Sequence, residues 1–244
     1  MLNNKILSVL DTSVASYREA YPFPHTILDN FLDPWMLRQA IPEIENYQHW
    51  RQDESEWVEE FQVLKQYAPD VVADPNDVEI LAKYAPKTKL ILDYMYSETV
   101  LNFLEDLTGI QGLLPDENWL GAGMHKISKG GKLGVHADFN VNFVNNLHRR
   151  INVLIYLNED WNPEWNGHLE LWDKDLSKCC VKVEPIFNRA VVFNITDDAF
   201  HGHPEPLQCP ETVSRYSLAL YYYTEDRPEE EKSDPHAVIW YNTK

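Results

Sequence analysis

The run GVHADFN, residues 134–140, sets His136 two positions before Asp138. In an extended chain residues i and i+2 project from the same face. The imidazole and the carboxylate therefore point together, while Val135, Ala137 and Phe139 take the other side. A second histidine-bearing turn, FHGHPEP, carries His201 and His203, and SRYSLALYYYT follows with Arg215 and Ser217 on one strand face. Two imidazoles and one carboxylate can hold one face of an octahedral Fe(II), leaving the opposite positions open. By itself an H-x-D pair is a weak signal in a chain with nine histidines, since a surface His beside a solvated Asp explains most such pairs. Its company is what gives it weight. Periodicity leaves His201 and His203 equivalent as the third ligand, because both face the same side of an extended segment. Pro204 and Pro206 then interrupt the ladder, which puts His203 where the chain leaves the sheet.

The elements that must position these residues change character along the chain. Asp33-Pro34 reads as an N-cap with proline at the first helical position, leading into WMLRQAIPEI. Ser97 precedes ETVLNFLEDL, with Val100, Leu104 and Leu107 on one face and Gly109 just past the end. Residues 51–89, charged and interrupted by Pro69, Pro75 and Pro86, read as loop or short helices. From about residue 119 the period becomes two: KLGVHADF, RRINVLIYL, GHLELW, CVKVE, RAVVFNI and SRYSLALYYYT are short alternating runs between turn-rich segments. The expected fold is mainly β with N-terminal helices, its core a sandwich or jelly-roll barrel. Residues 1–118 form the support, packed on a core of residues 119–244, the two read as one integrated domain. EDRPEEEKSDPH is a solvated acidic loop, after which AVIWY can return as a final strand.

Composition narrows the partners. The 244 residues, 44% hydrophobic, suffice for one large domain with a sizeable core. A formal net charge of −18 repels polyanions, so the expectation is no nucleic acid and no anionic membrane. The apolar run Ile6–Leu10 is shorter than a signal-peptide core, and no stretch approaches a membrane span. Three cysteines, two of them adjacent, form no disulfide framework, and the expected location is cytoplasmic.

With these motifs in place, the sequence resembles the Fe(II)/2-oxoglutarate-dependent dioxygenases, in particular the prolyl 4-hydroxylase-like group. The resemblance rests on HADFN, RRINVLIYLNEDWNPEWNGHLELWD, EPIFNRAVVFN and HGHPEPLQCPETVSRYSLALYYY, roughly residues 119–224; YPFPHTILDNFL also looks like the opening of such enzymes. It implies a double-stranded β-helix (cupin-like) with iron at its open end, held by His136, Asp138 and His201. His201-Gly202 before Pro206 matches the family's ligand pattern, leaving His203 beside the metal or facing substrate. Arg215 takes the distal carboxylate of 2-oxoglutarate, a task that suits a planar, always-charged fork. Ser217 adds a hydrogen bond, and Tyr156, with Asn152 on the same strand face, joins this cosubstrate group.

The cofactors implied are Fe(II), 2-oxoglutarate and O2, with ascorbate as an optional reductant. The implied reaction is hydroxylation of an unactivated C–H bond, of a prolyl residue, a free amino acid or another small-molecule or peptide substrate, with release of succinate and CO2. Asp138 itself points to hydroxylation, since related halogenases carry a small residue there. One departure is Ile127, where relatives often carry Tyr on the strand before H-x-D. His125, His148 and His168 read as structural or surface residues, and Trp161, Trp165 and Trp172 as packing around a loop. The competing reading is a non-catalytic jelly-roll that binds metal or 2-oxo acid, or a sensor; such a scaffold has no need for Arg215. A nucleic-acid demethylase conflicts with the net charge and lacks a basic patch beyond Arg149-Arg150. Oligomeric state is not legible.

Overall fold

The structure, a computed structural model, describes residues 1–4, 6, 10–52 and 61–241. Residues 7–9 of the apolar run Ile6–Leu10 and residues 53–60 of the charged segment therefore lie outside the described residues. The helices are α1 (Leu10–Arg18), α2 (Pro34–Glu45), α3 (Asp77–Tyr84), α4 (Pro86–Met95) and α5 (Glu98–Thr108). Asp33 caps α2 by accepting a hydrogen bond from the Trp35 amide, with Pro34 in the first turn. Helix α5 begins after Ser97 and ends at Gly109, whose φ of 77° is left-handed.

Among the described residues twelve strands follow chain order: β1 (His25–Asp29), β2 (Arg51–Gln52), β3 (Gln62–Ala68), β4 (Leu114–Pro115), β5 (Gly123–Ala137), β6 (His148–Tyr156), β7 (Leu169–Trp172), β8 (Cys179–Val183), β9 (Arg189–Asn194), β10 (His201–His203), β11 (Arg215–Thr224) and β12 (Ile239–Tyr241). Eight of them run β1-β9-β6-β11-β5-β10-β7-β8, every pairing antiparallel, and wrap into a nearly closed barrel of the double-stranded β-helix type. The 15-residue β5 is the spine: β3, β10, β11 and β12 all pair with it.

Alternation explains how one strand serves two interiors. On β6, Ile151, Val153 and Ile155 face the helices, in one core with Leu104 and Leu107 of α5 and with Leu218 and Leu220 of β11. Each such fully buried aliphatic side chain contributes roughly 1.5–3 kcal/mol. The intervening Asn152, Leu154 and Tyr156 turn into the barrel. The Tyr222 hydroxyl donates to the Met95 carbonyl at 2.8 Å, fastening the sheet to α4.

The segment 51–89 departs from expectation. It is not only loop and short helix, because β3 is a seven-residue strand laid along β5. Its sequence, QVLKQYA, mixes polar and apolar residues, and Leu64 at φ 50° interrupts its register between Val63 and Lys65, so no clean period of two survives. Pro86 starts α4 rather than breaking a helix. AVIWY does return as a strand, β12, beside the H-x-D end of β5. Cys179, Cys180 and Cys209 are free thiols. Among the described residues no helix is long and apolar enough to cross a membrane.

Candidate active site

Cross-strand register assembles the ligands. His136 on β5 pairs with His201 on β10 and, on its other side, with Trp240 on β12. Asp138 comes into place two residues after His136, just beyond the end of β5. Ligand atoms of His136, Asp138 and His201 all lie within 4.8 Å of one another, and all three residues are buried. The two Nε2 atoms sit 3.6 and 3.5 Å from the carboxylate oxygens. Each imidazole donates through Nδ1 to a backbone carbonyl, His136 to Gly134 at 2.8 Å and His201 to Ala199 at 2.9 Å. Those bonds fix the tautomer that turns an Nε2 lone pair toward the shared centre. Burial and the neighbouring His136, opposed by Asp138, push His201 down to about 4, so the ring is neutral and free to ligate. Two imidazoles and a carboxylate are a donor set that fits Fe(II). The structure selects His201 over His203 for this role.

The backbone at this point is tightly built. Between His201 and His203 the β5 partner jumps from His136 to Leu133, so β5 carries an extra residue here and Leu133 comes opposite His203. Gly202 lies against that irregularity: a Cβ there would sit 2.6 Å from the Gly134 carbonyl oxygen and 2.8 Å from that of Leu133. Gly202→Ala must therefore push β10 away from β5. We expect a stability loss of about 1–3 kcal/mol together with weakened iron retention, measured by denaturant unfolding and metal analysis; an unchanged protein would show that the contact yields freely.

Asp138 is held from below by a residue that the sequence reading left as half of a basic patch. Arg149 is 1% exposed. Its Nη2 lies 3.0 Å from Asp138 Oδ2, and Nε and Nη2 donate to Asn152 Oδ1 at 3.0 and 2.9 Å. Asn152 Nδ2 in turn donates to Asp138 Oδ2 at 2.8 Å. The guanidinium lies 3.5 Å from the Tyr221 ring centroid and 4.6 Å from that of Phe139. Burial alone would raise the Asp138 carboxyl, but Arg149 and the two imidazoles together hold it well below the ordinary carboxylate range. Arg150 is also buried and pairs with Glu231, so Arg149-Arg150 is no surface patch.

A cavity of about 250 Å³ runs from this triad to Arg215. Arg215 is 4% exposed; its Nε donates to the Gly167 carbonyl at 2.8 Å and its Nη2 to the Tyr156 hydroxyl at 3.4 Å. Among the described residues no carboxylate pairs with it, and burial lowers its affinity for the proton. A buried, unpaired guanidinium is costly to keep, which fits a site that receives an anion. Ser217 lines the same cavity, level with Tyr156 and His125 across the sheet. Tyr156 reaches the site through Arg215, and Asn152 through Asp138.

His125 is not a surface residue: it is buried, lines the cavity and bonds the Gly121 carbonyl through Nε2. His148 and His168 do not line it. Trp161 and Trp165 pack edge to face at 5.4 Å, while Trp172 lies apart beside Val135 and Phe200. Trp240 was unmarked in the sequence reading, yet its ring lies 4.8 Å from that of His136 and stacks on Phe61 at 5.3 Å.

Comparison with known proteins agrees with this geometry. Residues 122–223 match the 2OG-Fe(II) oxygenase superfamily. No curated protein matches the chain. Among solved structures, the chain is similar to a prolyl hydroxylase from Trichoplax adhaerens in complex with a hypoxia inducible factor oxygen degradation domain peptide fragment. That likeness has TM-score 0.64 and 19% identity, covering 91% of each chain. A Pseudomonas putida prolyl-4-hydroxylase gives TM-score 0.55 at 18% identity, covering 90% of this chain and 98% of the other. HygX from Streptomyces hygroscopicus, with nickel, 2-oxoglutarate and hygromycin B bound, gives 0.54 at 12% identity, covering 98% and 97%. At such identities the likeness establishes the fold. The H-x-D…H ligands fall inside the matched segment and converge in space, so residues 122–223 are a 2OG-Fe(II) oxygenase superfamily segment, which implies Fe(II) as the metal and 2-oxoglutarate as the cosubstrate.

Proposed function

We propose that the chain is a hydroxylase of an unactivated C–H bond, with a prolyl residue or a free amino acid as its substrate. The observation that carries the oxygenase reading is Arg215, a buried guanidinium without a carboxylate partner among the described residues, in the same cavity as a complete triad. A bare metal scaffold gives no reason to bury that charge. When bound, Fe(II) with 2-oxoglutarate and O2 supplies the oxidising power, and succinate and CO2 leave. The protein's part is binding and orientation: His136, Asp138 and His201 hold the metal, and Arg149 and Asn152 fix the Asp138 carboxylate. Arg215, steadied by Tyr156 and aided by Ser217, receives the distal carboxylate. Residues 1–118 act as support and, through β3, lend one wall of the cavity.

The prolyl reading draws support from two similar folds being prolyl hydroxylases and from the aromatic residues Trp240, Tyr221 and Phe139 that line the cavity with the triad. HygX shows that a similar fold accompanies a different ligand. Anaerobic addition of 2-oxoglutarate to the Fe(II)-loaded protein should produce a visible charge-transfer band. Succinate release should then rise on adding proline-containing peptides or free proline. No band sinks the oxygenase reading; a band with no response to either substrate sinks the prolyl one. Arg215→Lys replaces a bidentate fork with a point charge, so the 2-oxoglutarate requirement should rise about tenfold or more while that for Fe(II) stays put. An unchanged 2-oxoglutarate requirement would assign the carboxylate to another cation.

A further inference from the structure

His203 follows the metal ligand His201 by two residues on β10 and faces the same cavity. It is 3% exposed, and among the described residues neither ring nitrogen has a hydrogen-bond partner. His136, His201 and His125 each settle a ring nitrogen on a backbone carbonyl, which makes His203 the exception among the buried cavity histidines. An orphaned buried donor is costly, so a site that retains one is built for a partner that arrives from outside.

The surroundings say what that partner is. Arg215 and Lys65 line the same cavity as His203. An imidazole ring carries at least one N–H, and two positive side chains in the same cavity favour an anionic acceptor. Arg215 has already placed Nε on Gly167 and Nη2 on Tyr156. Directly across β5, its register partner is Ile127, which has no polar atom to offer. Among the described residues, His203 is a buried donor that faces this side of the cavity with no partner yet.

We propose that His203 donates a hydrogen bond to the distal carboxylate of the bound 2-oxo acid, beside Arg215, and so makes the cavity selective for a dicarboxylic cosubstrate. This rests on reading the cavity as the 2-oxoglutarate site. The selectivity follows from chemistry: a 2-oxo acid ending in a methyl group leaves both His203 and Arg215 unanswered, whereas 2-oxoglutarate answers both.

The test compares 2-oxoglutarate with 2-oxopentanoate, the same chain ending in a methyl group. Both are titrated into wild type, His203→Phe and His203→Gln. Binding is read by the visible band of the anaerobic Fe(II) protein and by calorimetry on the Mn(II)-loaded protein. His203→Phe should weaken 2-oxoglutarate about tenfold or more, leave 2-oxopentanoate binding and metal content as in wild type, and keep the fold by circular dichroism. His203→Gln, which restores a donor, should recover part of the loss. Equal weakening of both acids would make His203 a packing residue and overturn the proposal, as would unchanged 2-oxoglutarate binding in both variants. If His203→Phe fails to fold, the ratio of the two affinities in His203→Gln decides: a selective weakening of 2-oxoglutarate supports the proposal, and a ratio equal to wild type overturns it. A wild-type protein that binds neither acid overturns the cavity reading, and the proposal with it.

Discussion

Asp138→Ala is expected to abolish succinate formation and to strip Fe(II) from the protein. Asp138 is the one carboxylate of the triad, and its removal leaves two imidazoles, no compensating negative charge and a vacated metal position. Losing an outer partner of a metal ligand typically costs 10–100-fold, so losing the ligand itself should exceed about 100-fold. The substitution also leaves Arg149 buried without its carboxylate, and some loss of stability should accompany the loss of metal. Succinate assay, metal analysis and a melting curve separate the two effects. A folded, iron-loaded Asp138→Ala protein turning over at the wild-type rate would sink the triad assignment.

The triad was legible because its geometry is local in two pieces. His136 and Asp138 share a face by strand alternation, and the register of β5 with β10 supplies His201. The barrel was legible because β6, β9 and β11 alternate, with helix-facing residues such as Ile151 and Leu218 that are apolar. The choice between His201 and His203 was not available from periodicity, since both face inward; the pairing of His201 directly opposite His136 puts it, and not His203, in the triad.

Arg149 shows why alternation fails where it matters most. Counting by two from Ile151 puts Arg149 on the helix-facing side of β6. The register, however, runs Tyr222 to Ile151 and then Tyr223 to Arg149, so Arg150 is an extra residue and the parity changes at that point. The bulge turns Arg149 onto Asp138, Asn152 and Tyr221. Trp240 was equally hidden, because its role depends on a three-residue strand that pairs with β5 from about a hundred positions away.

That buried ion pair carries the last prediction. In the metal-free protein Arg149 is the cation 3.0 Å from Asp138, and both side chains are at least nine-tenths buried. Arg149→Met keeps an unbranched chain to pack on Tyr221, so little cavity cost is expected, yet it leaves the carboxylate uncompensated apart from Asn152 and the two imidazoles. Breaking a buried pair from one side costs about 3–5 kcal/mol, and denaturant unfolding of the metal-free protein should show a loss of that order. Asp138→Asn removes the charge from the other side. Combined with Arg149→Met it should destabilise by less than the two single losses added together, with a coupling of about 1–3 kcal/mol. Additive losses would mean that Arg149 stabilises through packing on Tyr221 and Phe139 and not through Asp138. With Fe(II) restored, Arg149→Met should still turn over about 10–100-fold more slowly than wild type, because Asn152 alone then fixes the orientation of the metal-binding carboxylate.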